Sequence, residues 1–280
     1  MSDSSCSCKC GFRLPSLVKK YLMAVTGLVL VGFVGFHMLG NLQMFESPEA
    51  INKYAHFLQT LPWEFLWGFR IGLVLCLILH FWMGALLRLE NNAARPQKYA
   101  VNATLKASLA SRTMIYTGIV VAVFFVLHIL HFTVQSLEPV TKAFDYVNAD
   151  GKIVHDVYAM VVYGFAAQPW YAWFYILAVA LIGFHLSHGV SSMFQSVGLR
   201  NETLRKWLGC LSAIYGLAVF AGFAFLPSAV LTSKYVPCVK LFPVQQIVDK
   251  GNAWDGKSPI FVEYAKESCH EASASCPSAK

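Results

Sequence analysis

Five long apolar stretches dominate the chain, at about 17–40, 64–88, 112–136, 169–195 and 206–231, with polar segments between them. A helix needs roughly 20 apolar residues to cross the hydrocarbon core of a bilayer. Backbone groups in lipid must pair within their own segment, so each stretch is expected to be helical. The dyad alternation of a membrane β-barrel is absent. The pattern predicts an all-α integral membrane protein with five transmembrane helices, spans I to V. The chain divides into an N-terminal segment 1–16, a membrane domain 17–231 and a polar C-terminal tail 232–280.

Composition agrees. Of 280 residues, 56% are hydrophobic and 13% charged, where a soluble domain carries about a quarter charged. That excludes a soluble enzyme domain, a disordered chain, a collagen-like repeat and a small disulfide scaffold. A net charge of +7 would raise nucleic-acid binding in a soluble protein. Here no nucleic acid is expected, and the charge instead orients the bundle. Lys9, Arg13, Lys19, Lys20, Arg88, Arg95, Lys98, Lys106, Arg112, Arg200, Arg205 and Lys206 fall on one side. The opposite loops, 41–63 and 137–168, hold Lys53, Lys142 and Lys152 among many acids. The positive-inside rule then predicts a cytoplasmic N-terminus in the cell's inner membrane. Trp63, Trp67, Trp170, Tyr171 and Trp173 stand where an outer aromatic belt belongs. Lys19 and Lys20 precede an apolar run too long for a cleaved signal peptide, with no small-residue cleavage site after it.

An odd number of spans puts the tail outside, although its six lysines run against the charge rule. Cys238, Cys269 and Cys276 lie there, able to form at most one internal disulfide. Cys6, Cys8 and Cys10 form a CxCxC that lacks the four ligands of a structural zinc site. Cys76 and Cys210 read as packing residues within spans.

Six of nine histidines fall inside spans: His37, His80, His128, His131, His185 and His188. An ionisable residue at membrane depth is costly and marks a candidate functional site. An internal repeat organises them. Thr26-Gly27, nine residues and His37 in span I match Thr117-Gly118, nine residues and His128 in span III. His80 with Gly84 in span II matches His185 with Gly189 in span IV. His131 and His188 have no counterparts. The glycines suit a flat, bulky group close to the helix backbone. For any single one of them, ordinary helix–helix packing is the better account.

Depth pairs the histidines. At about 1.5 Å per residue, His37 and His128 lie roughly 24–25 Å from the inner boundary. His80 and His185 lie roughly 24 Å from the outer one. In a core about 30 Å thick this makes two bis-histidine levels, one outer and one inner. Two imidazoles on facing helices can hold a haem iron from both sides. Zinc would want more ligands per level, and a proton relay would need neither paired depths nor repeated glycines. Haem propionates need polar partners, for which Arg70, Lys106, Ser111 and Arg112 are candidates. Arg70 could equally reach lipid headgroups.

The runs GFHMLGN (35–41), LHFWMGALLR (79–88), VLHILHF (126–132) and GFHLSHGVSSMF (183–194) resemble the membrane cytochrome b subunit of succinate dehydrogenases and fumarate reductases. The type resembled is the single-polypeptide, five-helix, dihaem one. Tyr54-Ala55-His56-Phe57 and Leu61-Pro62 are also similar, and the likeness covers about 13–231. It implies that four spans form a haem-binding bundle holding two haems b. His80 and His185 would bind the inner iron, His37 and His128 the outer one. His131 and His188, each a turn from a ligand, would touch a propionate, touch a quinone or merely pack. The resemblance further implies a flavoprotein and an iron–sulfur subunit on the cytoplasmic side, with the dicarboxylate site on another subunit. Electrons would pass to membrane quinone, usually menaquinone in this type. Further assembly as dimers or trimers of heterotrimers is left open. Some menaquinol-oxidising relatives carry a glutamate two positions before the fourth ligand, where this chain has Gly183.

A quinone needs hydrogen bonds at its carbonyls and a proton partner. Asn41, Gln43, His56 and Gln59 are candidates to bind it, and Glu64 to exchange the proton. Glu64 also reads as a plain helix N-terminal carboxylate. Two other readings stand beside this one: a transporter or proton channel with a histidine relay, and a dihaem anchor of hydrogenase or formate dehydrogenase type.

Overall fold

The computed structural model describes residues 14–94, 97, 108–199, 201–236 and 241–264. The CxCxC, the basic residues Lys9, Arg13, Arg95, Lys98, Lys106 and Arg200, and Cys238, Cys269 and Cys276 lie outside the described residues.

Five helices are long and apolar enough to cross a membrane. They are α1 (Ser16–Leu42), α3 (Trp63–Ala93), α4 (Leu109–His128), α6 (Pro169–Ser196) and α7 (Glu202–Tyr235). Three shorter helices accompany them: α2 (Pro48–Gln59), α5 (Val157–Ala166) and α8 (Val244–Asn252). Local chemistry sets the starts. Ser47, Ser108, Asp156 and Asn201 each accept a first-turn backbone N–H with the side chain, at α2, α4, α5 and α7, the usual use of short polar residues there. Pro169 opens α6, where its missing N–H costs nothing.

Span III differs from expectation. The α-helical ladder ends at His128, and Ile129–Thr133 make one wider π turn. Gln135 then takes a positive φ of 55°, and Ser136 N–H returns to the Leu130 carbonyl at 2.9 Å. The extra residue in the turn re-aims His131, the kind of local defect that π turns place at functional positions.

The tail is more structured than its polar composition suggested. Strand β1 (Phe144–Val147) pairs antiparallel with β2 (Ile153–His155) and parallel with β3 (Ile260–Phe261) from the tail. Helix α5 is buried from Tyr158 to Ala166, too short to span a membrane and covered by α8 and the tail. Gly251 of α8 lies flush on the Tyr163 ring. Asp156, wholly buried, ties this cap together. It accepts from Asn52 Nδ2 at 2.9 Å, Ala159 N–H at 3.0 Å and the Tyr264 hydroxyl at 2.6 Å. Tail and loop 134–168 therefore share one end of the bundle, called here the cap end. At the other end, buried Lys19 pairs with Glu90.

The long helices do not pack alike. Helix α7 lies along α6, its contact set by two glycines: a Cβ on Gly183 would come to 2.6 Å from the Gly216 carbonyl oxygen. Ser212, fully buried on α7, donates to the Ser187 carbonyl at 2.6 Å. Helix α3 packs chiefly on α1, and leaves Phe65, Phe69, Leu75, Ile78 and Trp82 exposed. Such apolar exposure along a long helix is what a lipid-facing surface requires. Trp63, Trp67, Trp170 and Trp173 are exposed as a belt would need, whereas Tyr171 is half-buried. Cys76 is half-buried, but Cys210 is exposed, so it faces away from the bundle and does not serve packing.

Candidate cofactor site

Thr26 and Gly27 of α1 form a seat for the His80 ring of α3. His80 Nδ1 lies 3.0 Å from the Met23 carbonyl and 3.4 Å from Thr26 Oγ1. A Cβ on Gly27 would touch His80 Cε1 at 3.1 Å. The second copy repeats this. His185 Nδ1 on α6 lies 3.1 Å from Thr117 Oγ1 on α4, and a Cβ on Gly118 would come to 3.5 Å from His185 Cε1. Both threonine hydroxyls donate to carbonyls one turn back, Thr26 to Leu22 and Thr117 to Met114. Their lone pairs are thus the part offered to the histidines. An Nδ1–H fixed in this way sets the tautomer and leaves Nε2 as a bare nitrogen, the arrangement found behind metal-bound histidines. The other repeated glycines meet only methionine tips, Met23 at 3.8 Å from a Gly84 Cβ and Met114 at 3.9 Å from a Gly189 Cβ.

His80 and His185 are close enough to interact electrostatically, and His188, half-buried, lies beside His185. Nearer the cap, the His37 and His128 rings face each other edge to face, with centres 5.8 Å apart. The histidines thus form two groups, 80–185–188 and 37–128–131. Phe33 stacks on His37 at 5.3 Å and Phe124 on His128 at 5.8 Å. Asn41 anchors its amide on the His37 carbonyl at 2.8 Å and approaches His37 Nε2 at 3.4 Å. Two imidazoles on one iron, with metal–nitrogen bonds of about 2 Å, put ring centres roughly 6 Å apart. The His37–His128 spacing and its apolar ring walls suit two imidazoles on one iron, and the anchored Nδ1 atoms of His80 and His185 leave their Nε2 atoms available as ligands. Groups of three or more His, Cys, Asp or Glu suited to a metal ion alone are absent among the described residues.

The remaining sequence candidates scatter. Arg70 is exposed and lies over the Trp67 ring at 5.4 Å. Ser111 and Arg112 stand in the first turn of α4, and Arg112 is exposed. Gln43 sits in the 3₁₀ turn after α1, and His56 in the last turn of α2. Gln59 and Glu64 are exposed around the α2–α3 junction. Gly183 has no room for any side chain against Gly216, so a glutamate could not stand there in this packing.

One residue in contact with the histidines escaped sequence reading. The Tyr175 hydroxyl lies 3.1 Å from His131 Nδ1 and 3.4 Å from His128 Nδ1. Aligning His80 with His185 puts Arg70 opposite Tyr175; aligning His37 with His128 puts Gly40 opposite His131. The repeat breaks at both members of the pair, and that double break was a readable signal.

These features define a five-helix chain of membrane-spanning character with four repeat-related histidines, of which His37 and His128 face each other and His80 and His185 each rest on a Thr-Gly seat. No protein-family model matches it, and neither a curated protein nor a solved structure does.

Proposed function

We propose that the chain is the dihaem cytochrome b membrane anchor of a succinate:quinone oxidoreductase. In that role it passes electrons between an iron–sulfur subunit and membrane quinone, menaquinone in the first instance. The observation that carries the reading is the duplicated seat: Thr-Gly on one helix fixes Nδ1 of a histidine on the next, twice, at the same level. Haem held by two imidazoles supplies reversible one-electron transfer with no open position for oxygen chemistry.

His80 and His185 hold one haem iron, His37 and His128 the other. Thr26, Met23 and Thr117 orient the first pair, and Tyr175 orients His128. The phenyl rings around His37 and His128 keep that level dry. The end opposite the cap lies in the cytoplasm and docks the iron–sulfur and flavoprotein subunits, and the dicarboxylate chemistry takes place there, on another subunit.

The test is a pyridine haemochromogen assay on purified chain, with subunit identification in the native complex. Two haems b per chain are expected, co-purifying with flavin and iron–sulfur proteins. One haem would break the pairing. Hydrogenase or formate dehydrogenase subunits in the complex would transfer the anchor to that class. Absence of haem would remove the reading in favour of a histidine relay, for which the Tyr175 bridge between two imidazoles is the supporting contact.

A further inference from the structure

The segment that leaves the π turn meets the cap at one histidine. Gln135, at its positive φ of 55°, places its side-chain Nε2 3.1 Å from His155 Nε2 on β2. Met160 of α5 brings its Sδ to 3.5 Å from the same His155 Nε2. Three segments thus aim at one ring nitrogen: the end of span III, a strand and a buried helix. Left-handed backbone is costly for a residue other than glycine, and it persists where the surrounding structure holds that residue in a definite place.

Donors and acceptors do not match there. An amide nitrogen only donates and a thioether sulfur only accepts. His155 Nε2 therefore accepts from Gln135 and carries no proton. The other bond of the ring, to the Phe144 backbone, falls to Nδ1–H. A bare nitrogen then faces the Met160 sulfur with no hydrogen between their lone pairs. A cation resolves that contact. Nitrogen and sulfur bonded to one ion at about 2.0 and 2.3 Å stand about 3.5 Å apart at a near-tetrahedral angle. Two nitrogen or oxygen ligands at about 2.1 Å stand about 3.1–3.4 Å apart. Turning the Gln135 amide end for end keeps its shape and exchanges its nitrogen for the acceptor oxygen.

The surroundings suit an ion of single charge. The backbone bond at Nδ1 fixes the ring from behind, as in metal-bound histidines. Burial holds His155 below its ordinary 6.5, against upward effects of Phe144, Asp145 and Asp156, so the ring is neutral at pH 7. Asp145 stands directly opposite His155 on β1, on the same face of the sheet, and supplies one negative charge. Asp156 is already engaged by Asn52, Ala159 and Tyr264. Thioether sulfur selects Cu(I), and imidazole accepts copper readily. Met160 is buried, but His155 and Gln135 are half-buried, so an ion has a way in.

We infer that His155 Nε2, Met160 Sδ and the Gln135 side-chain oxygen form a binding site for a soft monovalent cation, Cu(I), at the cap end. The site is separate from the paired histidines and does not depend on the haem reading. An ion bound there pins the end of span III to β2 and α5.

The test is an anaerobic titration of Cu(I) into the purified full chain, in competition with a chromophoric chelator. The eight cysteines are alkylated first, because thiolates also select Cu(I). Met160→Leu keeps the volume and removes the sulfur; His155→Phe keeps a ring and removes the nitrogen. Each should take up one Cu(I) per chain fewer than the unaltered protein. Zn(II) should bind the site at least tenfold more weakly than Cu(I). Unchanged Cu(I) uptake in either variant overturns the site, and a preference for Zn(II) overturns the choice of ion. Should the variants fail to fold, diethyl pyrocarbonate footprinting of the unaltered, alkylated chain decides. Ag(I), a redox-inert substitute for Cu(I), should protect His155 and leave His56 reactive. A His155 equally reactive with and without Ag(I) overturns the site.

Discussion

The two helix hairpins, α1–α3 and α4–α6, build the same histidine seat from the same residues and then live in different surroundings. In the second hairpin, α6 is clamped by α7 through Gly183, Gly216 and Ser212. Its connecting segment, from the π turn to α5, carries the part of the cap that the tail then covers. In the first hairpin, α3 has α1 as its main neighbour, and its connection is the plain amphipathic helix α2. A repeat can therefore keep a histidine seat while the packing around it diverges. What is repeated is the contact between histidine and Thr-Gly, a local matter of two helix faces. What differs is everything that reaches those helices from elsewhere in the chain.

The sharpest way to break the equivalence is to remove its histidines one at a time. His80→Ala and His185→Ala should each cost the same haem, and His37→Ala and His128→Ala the other. Each variant should leave about one haem of two by haemochromogen assay, because in the proposed arrangement each iron takes one imidazole from each hairpin. Loss of both haems from His185→Ala but one from His80→Ala would show that the hairpins contribute unequally. His131→Ala and His188→Ala should leave both haems bound and shift a midpoint potential, since a nearby imidazole tunes a site that it does not ligate. Loss of a haem from either, with the matching His128 or His185 variant retaining it, would overturn the choice of ligands.

Next in size is the clamp that only the second hairpin has. Gly183→Ala or Gly216→Ala drives a methyl group into backbone, which cannot yield as a side-chain tip can. Overpacking of this sort costs about 1–3 kcal/mol, read as earlier thermal unfolding in detergent. Gly118→Ala, with its Cβ at ordinary contact distance from His185, should cost far less. Gly27→Ala presses His80 more closely, so it should disturb the absorption spectrum of that haem before it disturbs stability.

The cap gives a third contrast, and it shows how much of the molecule was legible beforehand. Apolar length exposed the five spans, and repeat spacing brought out the four histidines. Neither could expose the cap. Helix α5 is apolar but about half the length a span needs, and its cover arrives from residues 241–264, far along the chain. Asp156, Asn52 and Tyr264 are unremarkable singly; only the fold brings them together. Tyr264→Phe removes the hydroxyl bonded to Asp156 and leaves a buried acceptor short of one donor. About 1–3 kcal/mol of local stability should go, seen as faster proteolysis of the tail with spans intact. Titration should act on the same place from both sides. Burial, and then Asp156, hold the Tyr264 hydroxyl far above its ordinary 10.0. The folded cap thus binds that proton more tightly than the unfolded one, and its contribution is present below pH 10 and lost above it. Burial lowers His155 from 6.5, partly offset by its bond to Phe144 and by Asp145. Its unfolded form takes up the proton first, so stability is present above pH 6.5 and lost below. Tail protection measured by hydrogen exchange should be greatest between those limits. Flat protection from pH 5 to 11 would contradict both assignments.

The smallest contrast lies inside the seats, where the two hairpins look most alike. His80 Nδ1 has two acceptors in reach, the Met23 carbonyl at 3.0 Å and Thr26 Oγ1 at 3.4 Å. His185 rests on Thr117 Oγ1 at 3.1 Å. Valine in place of threonine keeps the shape and removes the oxygen. In Thr26→Val the backbone carbonyl still fixes the His80 tautomer. In Thr117→Val the His185 N–H loses its acceptor and the ring is free to turn. A single hydrogen bond of this kind is worth about 0.5–1.5 kcal/mol. Electron donation through a hydrogen-bonded imidazole also sets how basic the ligand is. Thr117→Val should therefore shift the midpoint potential of the haem between His80 and His185 more than Thr26→Val does, with both haems retained in each. Equal shifts would mean that the Met23 carbonyl contributes nothing and that the hairpins are as alike in energy as they are in sequence.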